Sequence, residues 1–221
     1  MVSRMTAPRV GVMSLQGDFA CHRATLETLG AAPVRVALPV DLEGLDALIL
    51  PGGESTTMLR LIEDTKLRDP LARFVRSKPV MGTCAGVILL GARSERLPFA
   101  TLGALDVVVE RNAYGRQVDS FVAEVAAAPL GRTMRGIFIR APRLSLVASG
   151  VEVIARLTEA HGPAPAGEPV GVRVGALVGL CFHPELSGDS GLHAWFLSEV
   201  AGLSLPVPSS GTPRAASSRE G

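Results

Sequence analysis

The run Gly82-Thr83-Cys84-Ala85-Gly86 decides how the rest of the chain is interpreted. It follows the apolar stretch Pro79-Val80-Met81 and precedes Val87-Ile88-Leu89-Leu90, an order that predicts a strand, a sharp turn and a helix. In a nucleophile elbow, small residues on both sides of the turn lift one side chain clear of the sheet, and the G-x-C-x-G spacing matches. At a helix N-terminus, unpaired N–H groups would favour the reactive thiolate of Cys84. On this run alone, a nucleophile and a buried structural cysteine are equally good interpretations.

A second run, Cys181-Phe182-His183-Pro184-Glu185, ends the apolar stretch 177–182, which predicts a buried strand. Along an extended chain, residues two apart project to the same side, so His183 and Glu185 are expected to act together. A carboxylate on one imidazole nitrogen fixes the tautomer and leaves the other nitrogen to face a thiol. We therefore predict a catalytic triad of Cys84, His183 and Glu185, in preference to a histidine that is merely hydrogen-bonded at a strand end.

Composition narrows the class of protein. The chain has 221 residues and is 47% apolar but only 4% aromatic, so leucine, valine and alanine must fill a substantial core. A formal net charge of +1 without a basic block argues against nucleic acid and against an anionic membrane as partners. The first nine residues lack the apolar stretch of a signal peptide, and no run of about 20 apolar residues is present to span a membrane. Three widely spaced cysteines fit a reducing compartment, so we expect a cytoplasmic protein.

Strands and helices alternate along the first half of the chain. Strands are predicted over residues 10–15, 34–38, 47–50 and 79–81. Helices are predicted up to residue 29, over 57–62 and 71–76, and near the end of the chain over 192–201. The alternation predicts an α/β protein with three layers, α/β/α, in which helices cover both faces of a mostly parallel central sheet.

The middle of the chain is rich in strands without intervening helices. The predicted strands are residues 105–110, 120–126, 136–140, 151–157 and 170–174. We interpret them as an antiparallel or mixed extension of the same sheet, within a single domain of residues 9–203. Residues 1–8 form a short N-terminal extension, and the Pro-, Ser- and Gly-rich residues 204–221 are expected to be a disordered tail.

A pair of glycines indicates a third part of the catalytic site, the oxyanion hole. Attack of a thiolate on a carbonyl produces an oxyanion, which needs backbone N–H donors placed in advance. The N–H of Ala85, directly after the nucleophile, is one candidate donor. The N–H of Gly53 in the Gly52-Gly53 pair is the other, because glycine tolerates the unusual dihedral angles required. Without the cysteine run, these glycines would indicate only a tight strand-to-helix turn.

The chain resembles the glutaminase subunits of pyridoxal 5′-phosphate synthase, a subfamily of the class I glutamine amidotransferases. The resemblance covers residues 10–200. The runs that carry it are Leu15-Gln16-Gly17, Pro51-Gly52-Gly53-Glu54-Ser55-Thr56-Thr57, Gly82-Thr83-Cys84-Ala85-Gly86, Glu110-Arg111-Asn112, Gly115-Arg116-Gln117-Val118-Asp119-Ser120-Phe121, Phe138-Ile139-Arg140-Ala141-Pro142 and Phe182-His183-Pro184-Glu185-Leu186. Cys181 departs from the serine that is common in the family. The resemblance implies a flavodoxin-like, class I glutamine amidotransferase-like fold.

The same resemblance implies the function. The chain would hydrolyse L-glutamine to L-glutamate and ammonia, and the ammonia would pass to a separate synthase subunit that builds pyridoxal 5′-phosphate. The residues implied in glutamine binding are Gly52, Gly53, Glu54, Arg111, Ile139 and Arg140. A free amino acid carries a carboxylate and an ammonium, and an arginine fork suits the carboxylate. Gln16 is expected either to bond near the oxyanion loop or to cap the first helix.

Alternatives remain at this point. Arg111 and Arg140 could form ordinary surface ion pairs. The chain could serve another amidotransferase, such as imidazole glycerol phosphate synthase, or be a catalytically silent binding module. We predict no metal and no cofactor: Cys21 and His22 are adjacent on a helix, and His161 and His193 lack ligand spacing. Cys181 is expected to be a packed core residue.

Overall fold

The structure is a computed structural model that describes residues 6–17, 19–111, 113–114 and 120–205. The predicted N-terminal extension and tail therefore lie mostly outside the described residues. The same is true of Asn112 and of residues 115–119, which carry part of the family resemblance.

Twelve strands and five α-helices make up the described chain. The strands are β1 (Arg9–Met13), β2 (Ala32–Val36), β3 (Ala47–Leu50), β4 (Val80–Thr83), β5 (Gly91–Arg93), β6 (Leu105–Glu110), β7 (Ser120–Ala127), β8 (Arg132–Ile139), β9 (Arg143–Val147), β10 (Glu152–Leu157), β11 (Pro169–Val174) and β12 (Leu177–Leu180). The helices are α1 (Phe19–Thr28), α2 (Ser55–Asp64), α3 (Arg68–Ser77), α4 (Ala85–Leu90) and α5 (Gly191–Trp195), the last continued by a π-helical turn over Phe196–Val200.

Nine strands form the main sheet, in the order β2-β1-β3-β4-β12-β11-β10-β7-β8. The strands from β2 to β12 pair in parallel, and those from β12 to β8 pair antiparallel. The parallel half is buried: all four residues of β3, of β4 and of β12 are buried, as expected for strands covered on both faces. The predicted mixed α/β sheet with an antiparallel extension is confirmed.

The direction of the crossovers places the helices on opposite faces. From β1 the chain moves one way to β2, whereas from β3 it moves the other way to β4, and right-handed connections then put α1 on one face and α2 and α3 on the other. Helix α4 packs against α2, and α1 packs against the turn that carries Glu185. The chain reverses direction between β1 and β3, and ligands bind at such a point in open α/β sheets.

One predicted strand belongs elsewhere. Residues 105–110 do form a strand, but β6 lies between β5 and β9 in a separate three-stranded sheet, not in the extension of the main sheet. The reason is local. Strand β5 begins directly after α4 and pairs in parallel with β6, and this small sheet packs on α4.

Among the described residues, every helix is too short or too polar to span a membrane.

Several boundaries also differ. Helix α2 begins at Ser55 rather than residue 57, because Glu54 caps its N-terminus. Strand β8 begins at Arg132 rather than residue 136 and ends before Arg140, where φ is +44° and the chain leaves the sheet. Strand β12 ends at Leu180, two residues earlier than expected.

Candidate active site

The predicted site residues meet at the carboxyl edge of the parallel strands. Gln16 follows β1, the Gly52-Gly53 pair follows β3, Cys84 follows β4, and His183 lies shortly after β12. Parallel strands place their carboxyl ends at the same edge of a sheet, which is where ligands bind in folds of this kind. The sequence motifs are thus brought together by topology, although Gln16 and His183 are far apart along the chain.

Cys84 lies at a strained elbow. Its φ of +48° and ψ of −106° are rare for a residue with a side chain, and such strain is often retained at functional sites. Gly86 makes the turn possible, because a Cβ on it would lie 2.0 Å from the backbone oxygen of Leu50 on β3. The predicted strand–turn–helix is present, with Cys84 as the N-cap of α4 and its sulfur 3.8 Å from the backbone oxygen of Ile139.

His183 and Glu185 form the rest of the predicted triad. Nδ1 of His183 donates to Oε1 of Glu185 over 2.7 Å, and the imidazole also hydrogen-bonds Cys84. The extended chain expected here is not observed. Pro184–Leu186 instead form a turn of 3-10 helix that carries the carboxylate back to the ring. Gly52 packs against the imidazole, since a Cβ on it would lie 2.3 Å from Cε1 of His183.

The surroundings of His183 favour its charged form. Burial by itself would lower the pKa of His183, but the hydrogen bonds to Cys84 and Glu185 outweigh it and raise that pKa to about 10. A protonated imidazole with Nδ1 bonded to a carboxylate presents its Nε2–H to the sulfur. This arrangement can stabilise a thiolate nucleophile and can donate a proton to a leaving group.

A pocket of about 180 Å³ opens over the sulfur. Its volume lies below the roughly 300–1,000 Å³ of sites for drug-sized ligands, so it suits a small molecule. The residues that line it are Gly53, Glu54, Ser55, Cys84, Ala85, Ile88, Arg111, Ile139, Arg140 and His183. All the predicted site residues except Gly52, Glu185 and Gln16 line the pocket, and each of those three contacts a residue that lines it. Ser55 and Ile88 are further lining residues that the sequence motifs did not single out.

Glu54 has a structural task besides lining the pocket. Its carboxylate accepts hydrogen bonds from the backbone N–H groups of Thr56 and Thr57 at the start of α2, and from Nη2 of Arg111 at 3.1 Å. Burial opposes ionisation, but the hydrogen bonds from Thr56 and Thr57 prevail and lower the pKa of Glu54 to about 2. The carboxylate therefore holds Arg111 at the pocket, a role that the sequence analysis did not foresee.

Gln16 holds the loop that follows β3. Its Oε1 accepts a hydrogen bond from the backbone N–H of Glu54 over 2.8 Å, which anchors the peptide that follows Gly53. Gln16 therefore bonds to the loop that contains Gly52 and Gly53, the first of the two positions expected for it. Cys181 is fully buried, as predicted, and burial raises the pKa of its thiol well above the ordinary value.

The sequence analysis missed a buried histidine pair. His22 and His193 were considered only as metal ligands, with other partners, yet Nδ1 of His22 lies 3.0 Å from Nε2 of His193. His22 also lies 3.5 Å from Oε1 of Glu185. Within the described residues, no three metal-ligating side chains converge as a metal ion would require. Only the fold could reveal this pair, because 171 positions separate the two histidines.

Solved structures identify the class of protein that this fold and site define. A crystal structure of a glutamine amidotransferase superposes with a TM-score of 0.79 and 43% identity, covering 88% of this chain and 99% of that one. PurLQS from Thermotoga maritima shares the fold alone, with a TM-score of 0.67 at 21% identity, over 87% of this chain and 97% of that one. The fold is that of the class I glutamine amidotransferases.

The sequence comparison is more specific: the chain belongs to the SNO glutamine amidotransferase family, whose model matches residues 12–202. The pyridoxal 5′-phosphate synthase subunit PdxT of Rhodococcus jostii is 46% identical over 203 residues, covering 90% of this chain and all of the relative. PdxT of Mycobacterium avium is 43% identical over 208 residues, with the same coverage.

Proposed function

We propose that this chain is the glutaminase subunit of a pyridoxal 5′-phosphate synthase. It hydrolyses L-glutamine to L-glutamate and ammonia, and a separate synthase subunit uses the ammonia to build the vitamin B6 cofactor. The observation that carries the proposal is the buried Cys84–His183–Glu185 array at the floor of a pocket with two arginines. The assignment to this pathway is supported by relatives of similar length that are named as subunits of this synthase.

The first half of the reaction forms a thioester. The Cys84 thiolate attacks the side-chain amide carbon of glutamine, and the carbonyl electrons move onto oxygen. The N–H groups of Gly53 and Ala85 stabilise this oxyanion; that of Ala85 begins α4 and has no partner within the helix. As the carbon–nitrogen bond breaks, His183 gives its Nε2 proton to the nitrogen, and ammonia leaves.

The second half restores the enzyme. Neutral His183 takes a proton from water, and the resulting hydroxide attacks the thioester carbon. Collapse of the second tetrahedral species breaks the carbon–sulfur bond, which returns the thiolate beside a protonated imidazole. The carboxylic acid formed loses its proton to solvent and leaves as glutamate. Throughout, Glu185 holds the imidazole in one orientation and supports its positive charge.

The rest of the pocket binds the amino-acid end of glutamine. The guanidinium groups of Arg111 and Arg140 pair with the α-carboxylate, for which a planar fork is well suited. Gly52, Gly53 and Ile139 contribute backbone surface beside the reacting amide. The Glu54 carboxylate already accepts bonds from α2 and Arg111, so its contribution runs mainly through the position of Arg111.

The proposed working unit is a single domain, residues 9–203, that acts in the cytoplasm. Three widely spaced cysteines, with no disulfide among the described residues, fit a reducing compartment. We expect the isolated chain to be a slow glutaminase that the synthase subunit activates, since free hydrolysis would waste glutamine. Gly53 has a φ of +151°, and the peptide between Gly52 and Gly53 can rotate easily because neither residue has a side chain. The Gly53 N–H is the oxyanion donor that binding of the synthase subunit would align.

Ammonia release decides between the candidate functions. The purified chain is given L-glutamine alone, with a pyridoxal 5′-phosphate synthase subunit, or with the synthase subunit of imidazole glycerol phosphate synthase. We expect strong release only with the first partner. Activation by the second partner alone would move the chain to the other pathway, and no release with either would indicate a silent binding module.

A further inference from the structure

An array of buried side chains in mutual contact extends from Glu185 beyond the triad. Oε1 of Glu185, which accepts the hydrogen bond from His183, lies 3.5 Å from Nε2 of His22. The same Nε2 lies 3.3 Å from Oγ1 of Thr83, the residue before the nucleophile, and Nδ1 of His22 lies 3.0 Å from Nε2 of His193. All three side chains that meet His22 here are fully buried.

The surroundings fix the tautomer of His22. Burial, together with repulsion from His193 and His183, keeps the pKa of His22 well below its ordinary value, so the ring is neutral and has one N–H. Burial likewise lowers the pKa of His193, to about 4. A proton on Nδ1 of His22 would leave a bare lone pair facing the Glu185 carboxylate. It would also force a proton onto Nδ1 of His193, a buried atom without a partner among the described residues.

The other tautomer satisfies each donor. With the proton on Nε2, His22 donates toward Oε1 of Glu185 and Oγ1 of Thr83, and its Nδ1 accepts from Nε2–H of His193. Nδ1 of His193 is then a bare acceptor, which costs less than a buried N–H without a partner. All N–H groups in the array point along one direction, from His193 through His22 to the carboxylate.

We propose that His22 is a positioning residue of the triad, with His193 behind it to hold its tautomer. The proposal deepens the proposed glutaminase function and rests on it. Oε2 of Glu185 is buried without a partner in the described residues, so donors to Oε1 are what fix the carboxylate. The Nε2–H of His22 hydrogen-bonds Oγ1 of Thr83 and lies 3.5 Å from Oε1, so it presents a polar N–H to the carboxylate. It thereby links the position of the carboxylate to the strand that precedes Cys84.

A purely structural histidine would have a different signature. His22 and Leu26 are the buried residues of α1, so His22 could be merely a packed core side chain of that helix. In that case its loss would destabilise the fold, and any change in the catalytic constants of the protein that still folds would be the same with or without the Glu185 carboxylate. If His22 acts through Glu185, its loss should lower kcat without changing KM, and the two residues should not be additive.

Two amide variants separate these roles. Glutamine at position 22 can carry an N–H to where Nε2 lies, whereas asparagine is one methylene shorter and reaches only to the place of Nδ1. In the complex with the synthase subunit, we expect His22→Asn to lower kcat about tenfold, the low end for groups that orient an active histidine from behind. His22→Gln should keep most of the wild-type kcat, and KM for glutamine should stay constant in both.

The double-mutant cycle with Glu185→Gln tests the route of the effect. His22→Asn should cost little further in that background, because the carboxylate that it positions is gone. Equal losses in both backgrounds, or equal kcat in the Asn and Gln variants of an active complex, would overturn the proposal. In either case the glutaminase function itself would stand.

One measurement needs no variant and no substrate. ¹⁵N NMR of the histidine rings in the folded wild-type chain should show His22 neutral, with its proton on Nε2. A proton on Nδ1 would overturn the proposal even if both variants failed to fold. If the wild-type complex released no ammonia while His22 had the Nε2–H tautomer, the glutaminase function would fail and the hydrogen-bond array would remain.

Discussion

At the scale of single residues, the protonation of His183 depends on its two hydrogen-bond partners. The imidazole is buried, which by itself disfavours a charge, yet hydrogen bonds to Cys84 and Glu185 favour one. The charged ring in turn presents a proton to the sulfur and later to the departing nitrogen. Neither residue would have this chemistry at an ordinary surface position.

The dependence predicts how His183 titrates. In the wild-type chain His183 should titrate near pH 10, and Cys84→Ala should lower its pKa, because burial then acts with only Glu185 against it. Since the native pKa exceeds the value of about 6.5 for an unfolded histidine, its contribution to stability is full below that pH and is lost as the pH rises toward 10.

NMR titration of the His183 ring in both proteins measures the shift directly, and thermal unfolding across the same pH range measures the linked stability. Cys84→Ala should show a shallower loss of stability above pH 6.5 than the wild type. A His183 pKa that is the same in the two proteins would mean that the sulfur does not charge the ring.

At the scale of elements, the elbow depends on how closely α4 approaches β3. A Cβ on Gly86 would lie 2.0 Å from the oxygen of Leu50, and one on Gly82 would lie 2.5 Å from the carbonyl carbon of Gly86. Both obstacles are backbone atoms, which cannot move aside without shifting the strand or the helix. The glycines therefore fix where Cys84 points, and they do so through packing rather than chemistry.

Gly86→Ala should destabilise the chain by about 1–3 kcal/mol or more, the cost of overpacking a tight contact. It should also lower glutaminase activity, because the shift of α4 carries Cys84 and the Ala85 N–H with it. Gly150→Ala is the matched control: a Cβ there meets nothing within 4 Å and the backbone does not have positive φ, so stability should change by less than about 1 kcal/mol.

Denaturant unfolding of the two variants, with ammonia release measured in the complex, checks this expectation. Equal stability in both would show that α4 can retreat from β3 without cost, in contradiction to the packing described.

At the scale of the whole molecule, the parallel half of the fold could be predicted more completely than the rest. Its strands are short and largely apolar, helices lie between most of them, and its site motifs follow those strands directly. The start of β8 was placed too late because Arg132, Thr133 and Arg135 are exposed on a half-covered antiparallel strand, where polar residues alternate with buried ones.

Pairing partners were harder to predict than strands. The pattern of residues 105–110 indicates a strand, but nothing in it tells which sheet it joins, and its neighbours β5 and β9 were not predicted at all. The histidine array had no sequence signal for the same reason. A single buried histidine on α1 resembles any other core residue until α5 and Glu185 are brought against it.

The three cysteines of the chain provide the most direct test that Cys84 is the glutamine-directed nucleophile. Cys21 is partly exposed on α1, and Cys181 is fully buried, so the chain contains its own comparison for accessibility. The complex with the synthase subunit is treated with a glutamine analogue that has an electrophile in place of the amide, with and without excess L-glutamine, and labelled peptides are mapped by mass spectrometry.

We predict that Cys84 alone is labelled, that labelling abolishes ammonia release in proportion, and that L-glutamine protects against both. Labelling spread equally over Cys21, Cys84 and Cys181, or labelling of Cys84 that L-glutamine does not slow, would contradict the assignment of Cys84 as the nucleophile of a glutamine site.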